Sequence, residues 1–194
     1  MGKLFYLMGK SAVGKDHIFE RLLCYPGLDL KRMVPYTTRP MRENECDGRE
    51  YHFTDENMLE RFRRDGVLIE ERRYQTIHGP WIYFTVDDGS LQPEGQNCLA
   101  IGTPVSFLKI REYYGSVVVP VYIESEDRDR LLRAIKREGK EAVPDYREVC
   151  RRYLADEEDF SEDIISECGI KRRFRNDDID RCTDEIAVYI SESV

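Results

Sequence analysis

Gly9-Lys10-Ser11-Ala12-Val13-Gly14-Lys15-Asp16 is the stretch that most narrows what this chain can fold into. An apolar run of strand-like composition, Leu4 to Met8, precedes it, and Ile18, Phe19, Leu22 and Leu23 follow at helical spacing. A strand that turns through two glycines into a helix, with a lysine after the second glycine, is the setting in which G-x-x-x-x-G-K binds phosphate. The glycines let backbone N–H groups close around phosphate oxygens. The helix N-terminus adds partial positive charge, and Lys15 reaches the outer phosphates. The eighth position departs from the pattern, because Asp16 stands where Ser or Thr supplies a hydroxyl to magnesium.

With 194 residues the chain has room for an α/β core carrying inserted subdomains. Its formal charge of −8 argues against a dedicated nucleic-acid or anionic-membrane binder, which would carry a basic excess. No apolar run approaches the ~18 residues that span a bilayer. Six cysteines are scattered without a C-x-x-C pair and without a signal-peptide pattern, so reduced thiols and a cytoplasmic location are expected, and a zinc site is not.

Beyond the first helix, Arg32-Met33-Val34 reads as a short strand, and Tyr36-Thr37-Thr38-Arg39-Pro40-Met41-Arg42 as an anion clamp built on paired arginines. A strand over 49–53, a helix capped by Thr54 or Asp55 and ended by Gly66, a strand from Val67 and a hairpin around 77–80 form a small inserted sheet. The main sheet resumes at Cys98 to Ile101, followed by a helix from Pro104. Val117 to Ile123, near-continuously apolar, reads as a strand buried on both faces. An arginine-rich helix over 128–137 with a Leu131, Leu132, Ile135 stripe, a helix over 144–158, a strand over 169–174 and a closing helix from Ile179 complete the chain. Alternating strands and helices predict an α/β fold whose sheet is mostly parallel. His52 and His78 have no second ligand at metal spacing and read as structural, and Lys171 to Arg175 as a cleft rim or solvated edge.

The chain resembles the guanylate kinase family over nearly its whole length. The resemblance rests on the phosphate loop, on Thr37-Thr38-Arg39-Pro40-Met41-Arg42, on Glu45 with Asp47-Gly48-Arg49-Glu50-Tyr51-His52-Phe53, and more loosely on Leu68-Ile69-Glu70, His78-Gly79 and Asn176-Asp177-Asp178. It implies a P-loop NTPase-type parallel sheet flanked by helices. The core would comprise 1–33, 96–124 and 166–194, with an inserted nucleoside-monophosphate-binding subdomain at 34–88 and a helical lid at 125–160. It implies phosphoryl transfer from ATP, with Mg2+, to GMP or dGMP. Gly9, Lys10, Ser11, Ala12, Val13, Gly14, Lys15, Asp16 and Asn176 would then bind ATP, and Arg39, Arg42, Glu45 and Tyr51 the monophosphate. Glu70 would read the donor edge of guanine, and Lys15, Arg133, Arg137 and Arg152 would stabilise the migrating phosphoryl group.

Departures concentrate where the chemistry is. Ile101 and Thr103 stand where the family has aspartates, Lys10 replaces a proline, Pro35 and Tyr36 replace a serine pair, and His78 and Pro80 replace a tyrosine and a serine. An active enzyme would have relocated its magnesium carboxylate to Asp16. The alternatives are a nucleotide- or partner-binding module on the same fold, or a kinase for another nucleoside monophosphate. Retention of Gly9, Gly14, Lys15, Arg39, Arg42 and Tyr51 favours the enzyme.

Overall fold

The computed structural model describes residues 2–42, 45–76, 79–89 and 95–193. In chain order the first elements are β1 (Leu4–Met8), α1 (Lys15–Leu23), β2 (Lys31–Arg32), β3 (Tyr36–Thr37), β4 (His52–Phe53) and α2 (Glu56–Arg64). Then come β5 (Leu68–Thr76), β6 (Gly79–Val86), β7 (Cys98–Ile101), α3 (Pro104–Tyr114) and β8 (Val118–Glu124). Last are α4 (Asp127–Glu138), α5 (Tyr146–Asp159), α6 (Glu162–Glu167), β9 (Arg173–Arg175) and α7 (Ile179–Ser193).

Five strands form a wholly parallel sheet in the order β2-β7-β1-β8-β9. β1 lies at its centre with every residue buried, which is why it reads as an unbroken apolar run. The strand's period of two divides its side chains between two cores. Phe5 and Leu7 pack with Ile18 and Leu22 of α1 and Ile186 and Ile190 of α7. Leu4, Tyr6 and Met8 pack on the other face with Phe107 and Ile110 of α3 and Ile165 of α6. The expected α/β layering is therefore present, with a parallel sheet flanked by helices.

A second sheet, β4-β3-β6-β5, is built from the segment between β2 and β7. β5 and β6 pair antiparallel, and Leu59 of α2 closes a small core with Ile82, Phe84 and Val86. Asp55 caps α2 by accepting from Met58 N at 2.9 Å. The hairpin turn and His78 lie outside the described residues.

Several expectations need correction. The strand expected over 49–53 is only His52–Phe53, because Asp47 Oδ1 takes the Phe53 N–H at 2.7 Å and Gly48 N bonds Tyr51 O in a turn. The strand expected from Gly169 begins at Arg173, and α6, too short to show periodicity, was not foreseen. Val119 and Pro120 of β8 are only half-buried. The apolar stripe of α4 does not face the core: Leu132 and Ile135 are exposed, and the buried residue is Arg130, 1% accessible.

Arg130 is tolerated there because it is caged. Its guanidinium donates to Asp127 at 2.7 Å, Glu157 at 3.0 Å, Asp156 at 3.3 Å and the Ser11 carbonyl at 3.3 Å, and it stacks 4.8 Å from the Tyr153 ring centroid. Removing one partner of such a cage strands the others. Arg130→Leu should therefore cost about 3 kcal/mol in urea unfolding. Leu132→Ala, exposed on the same helix, should stay within about 0.5 kcal/mol of wild type.

Candidate active site

The carboxyl ends of the parallel strands open on one edge, the usual place for a ligand in an α/β sheet. There the loop from Gly9 leads into α1 with Gly14 at φ +93° and Ala12 at φ +62°, both left-handed. A Cβ on Gly9 would lie 2.5 Å from Ile123 O, so the loop can pass β8 only as glycine. The Asn176 amide, buried, donates to Val13 O at 2.6 Å, and a Cβ on Gly14 would strike that amide at the same distance of 2.6 Å. Asn176 thus sits beneath the loop, where its amide is already engaged.

On the loop's other flank, α5 presents Asp156, which accepts from Ser11 N at 2.7 Å and Ser11 Oγ at 3.2 Å. Lys10 pairs with Glu157 at 2.7 Å. Lys15 and Asp16 occupy the first turn of α1, where the helix dipole favours anions. Both line a cleft of about 1090 Å³ between the loop, the second sheet and α5. Its wall across from the loop carries Tyr51, Arg72, Trp81 and Tyr83, and its floor Ile101, Gly102 and Thr103. Thr103 is occupied as the N-cap of α3, in a reciprocal capping box with Ser106. The Tyr6 hydroxyl, hydrogen-bonded to Ser106 at 2.7 Å, is pushed up to about 12 by burial and lies 2.2 Å from where a Gly102 Cβ would be.

The clamp expected from Arg39 and Arg42 is partly assembled. Arg39 is buried and forms a bidentate pair with Glu45, NH1 to Oε2 at 2.9 Å and NH2 to Oε1 at 2.8 Å. The rings of Tyr51 and Phe53 lie 5.4 and 5.5 Å from its guanidinium. Burial opposes its charge, but Glu45 outweighs burial and the Arg39 value is raised. Burial likewise raises Glu45, and Arg39 with the Arg42 N–H overcomes it, so that carboxyl is held below its ordinary range. The Arg42 side chain is exposed, and Arg42 meets Glu45 through its backbone, its N–H donating to Glu45 Oε2 at 2.8 Å and its carbonyl accepting from Glu45 N at 3.1 Å.

Glu70 lies behind the cleft wall. Arg72 donates to it from Nε at 3.0 Å and NH2 at 3.3 Å, and Thr85 Oγ1 from 2.9 Å. Its side chain is 2% accessible, and Arg72 faces the cleft in its place. Burial disfavours the Arg72 charge, but Glu70, together with Tyr6 and Tyr74, more than offsets it and the net direction is upward.

Of the expected lid arginines, Arg152 lines the cleft. Arg133 turns instead to Ser125 Oγ at 3.2 Å and Asn176 O at 3.4 Å, and Arg137 is exposed on α4. Neither is among the residues lining the cleft. Arg173 and Arg175 pair with Glu162, Glu124, Glu126 and Asp177, a solvated edge. Residues the sequence reading missed are Arg72, Arg130, Arg151 and Asp156. Two of them carried a signal: Asp156 recurs with Glu148, Arg152 and Asp159 at helical spacing, and Arg72 shares a strand face with Glu70.

Arg151 donates to Glu148 from Nε at 2.7 Å and Arg152 from Nε at 2.8 Å. The Arg151 bond, opposed by burial and aided by Arg152, draws the Glu148 carboxyl from 4.5 down to about 2. A depressed carboxyl stabilises the fold above its unfolded value and stops doing so as pH falls through the folded one. The stability gap between wild type and Glu148→Gln, read from urea midpoints, should be constant above pH 4.5 and vanish towards about 2.

Among the described residues no group of three or more His, Cys, Asp or Glu side chains converges as a metal cage, and no helix is long and apolar enough to cross a membrane. All six cysteines are unbridged. A family model described as guanylate kinase matches residues 1–193. A guanylate kinase of Porphyromonas gingivalis is 26% identical over 197 residues, covering 100% of this chain and 99% of that protein. One of Tropheryma whipplei is 29% identical over 147 residues, 72% of this chain and 70% of the relative. Among solved structures, that of guanylate kinase from Anaplasma phagocytophilum superposes with a TM-score of 0.65 at 21% identity, covering 99% of this chain and 86% of that one.

Proposed function

Because the chain belongs to the guanylate kinase family, we propose that it transfers the γ-phosphoryl group of ATP to GMP, or dGMP, giving the two diphosphates. The observation that carries this reading is one cleft walled on one side by the Gly9–Asp16 loop and on the other by Tyr51 of the inserted sheet, with Arg39 buried behind that wall. In the proposed division, 1–33, 96–124 and 166–194 are the nucleotide-binding core. Segment 34–88 holds the monophosphate, and 125–160 closes as the lid.

ATP phosphates lie on the N–H groups of the loop and on Lys15, with α1 adding the field of its N-terminus. Asn176 shapes that loop from beneath. Arg39, Arg42 and Tyr51 hold the GMP phosphate, and Glu45 fixes the position of the Arg39 guanidinium through the bidentate pair. The GMP phosphate is itself a competent nucleophile, so catalysis consists of alignment and charge neutralisation. Arg152 stands in the cleft for that purpose, and Arg133 and Arg137 join it when α4 and α5 close and exclude water.

Asp16 suits a magnesium ion carried by the nucleotide, since Mg2+ is commonly held by one or two carboxylates plus substrate phosphates and water. When bound, that ion shields the phosphate charge that a carboxylate in this position would otherwise repel. Cytoplasmic nucleotides are the natural substrates of this reading, and neither nucleic acid nor membrane is required.

A coupled ADP-release assay with ATP, Mg2+ and a panel of monophosphates tests the reading. Turnover with GMP is expected, and Lys15→Met should lower kcat/KM by about 100-fold or more. Absence of turnover with every monophosphate would overturn the kinase assignment. Separately, Asp16→Ser should shift the magnesium titration of kcat, and an unchanged curve would remove Asp16 from the metal site.

A further inference from the structure

The base end of the cleft presents a cation where the expected reader of guanine is an anion. Glu70 can accept hydrogen bonds only; three of its roughly four acceptor sites are engaged by Arg72 and Thr85, and its side chain, 2% accessible, lies behind the wall. Arg72 reaches across to within 3.5 Å of Thr103 Oγ1 on the sheet floor, and its side chain is 18% accessible, on the cleft side. A guanidinium has five N–H donors, and among the described residues three are consumed, so that one remains on each terminal nitrogen. Its orientation is fixed by the Glu70 carboxylate and the Thr103 hydroxyl, so it offers a prepared, donor-only surface.

We propose that Arg72 is the base-reading residue of this chain, donating to O6 and N7 of a 6-oxopurine, with Glu70 as a positioning residue that holds the guanidinium. This rests on the kinase reading above and refines it. A guanidinium matches the paired O6 and N7 acceptors of guanine bidentately. Hypoxanthine presents the same two acceptors. Adenine presents an amine in place of O6, which sets donor against donor and leaves Arg72 unsatisfied. The 2-amino group of guanine, whose natural partner would be the Glu70 carboxylate, is not read.

The test compares GMP, IMP and AMP as phosphoryl acceptors for the wild-type protein, with dissociation constants measured in parallel so that recognition is seen independently of turnover. The expected result is kcat/KM and Kd for IMP within about 3-fold of GMP, and AMP poorer by about 100-fold or more. Arg72→Ala uncovers Glu70, which can then accept from N1–H and N2–H₂. That variant should move the GMP-to-IMP ratio towards GMP by about 10-fold or more. Altered folding alone would weaken both ligands together and leave the ratio fixed. GMP turned over with IMP rejected by the wild type overturns the proposal while leaving the kinase reading intact, as does AMP equal to GMP. No binding of any of the three overturns both.

Discussion

A loop that turns its N–H groups toward a ligand must turn carbonyls the other way, and those carbonyls need donors. Here the donors are side chains from the far half of the chain. Asn176 supplies the Val13 carbonyl from below, and Arg130 supplies the Ser11 carbonyl from the flank. Both donors are buried, so water does not stand in for them. The two glycines make the path sterically passable, at Gly9 against Ile123 O and at Gly14 against the Asn176 amide. The shape of the phosphate loop is therefore a property of the α4, α5 and β9 region as much as of the loop's own residues.

Charge is handled in the same way elsewhere around the cleft. Arg39 is paired with Glu45, Arg72 with Glu70, and Arg151 and Arg152 with Glu148. The carboxylates hold each guanidinium in one geometry, so little side-chain entropy remains to be lost when a ligand arrives. That arrangement also accounts for a cleft lined with arginines in an acidic chain: the net charge of −8 includes carboxylates that pair with those arginines.

The glycine-bounded loop between β1 and α1, the parallel core and the family were legible because each rests on local patterns: a fixed glycine spacing, apolar runs, and a motif contiguous in sequence. A cap at Thr54 or Asp55, of which the structure uses Asp55, and Pro104 as a helix start were legible for the same reason. What was not legible depends on contacts between distant segments. Arg130 reads as one more surface arginine until Asp156, Glu157 and Ser11 are brought around it. Glu70 reads as the guanine selector until Thr85, from the neighbouring strand, is brought onto its carboxylate alongside Arg72. Arg133, a lid arginine by resemblance, here rests on Ser125 and the Asn176 carbonyl, partners the sequence does not place beside it. The inserted sheet's short strands were overdrawn because Asp47 and Gly48 turn the backbone out of the ladder.

The position of β1 carries a consequence for how the chain is made. Its two neighbours are β7 and β8, whose partners for Leu4 are Cys98 and Val118. During synthesis the most apolar strand of the first half therefore emerges long before either edge it must pair with, and non-local parallel pairing is slow. The segment between β2 and β7 can close its own small antiparallel core in that interval, since β5 and β6 are adjacent in sequence. The inserted sheet is thus the natural first unit to form on the ribosome, and until β7 and β8 arrive β1 is the stretch most in need of a chaperone.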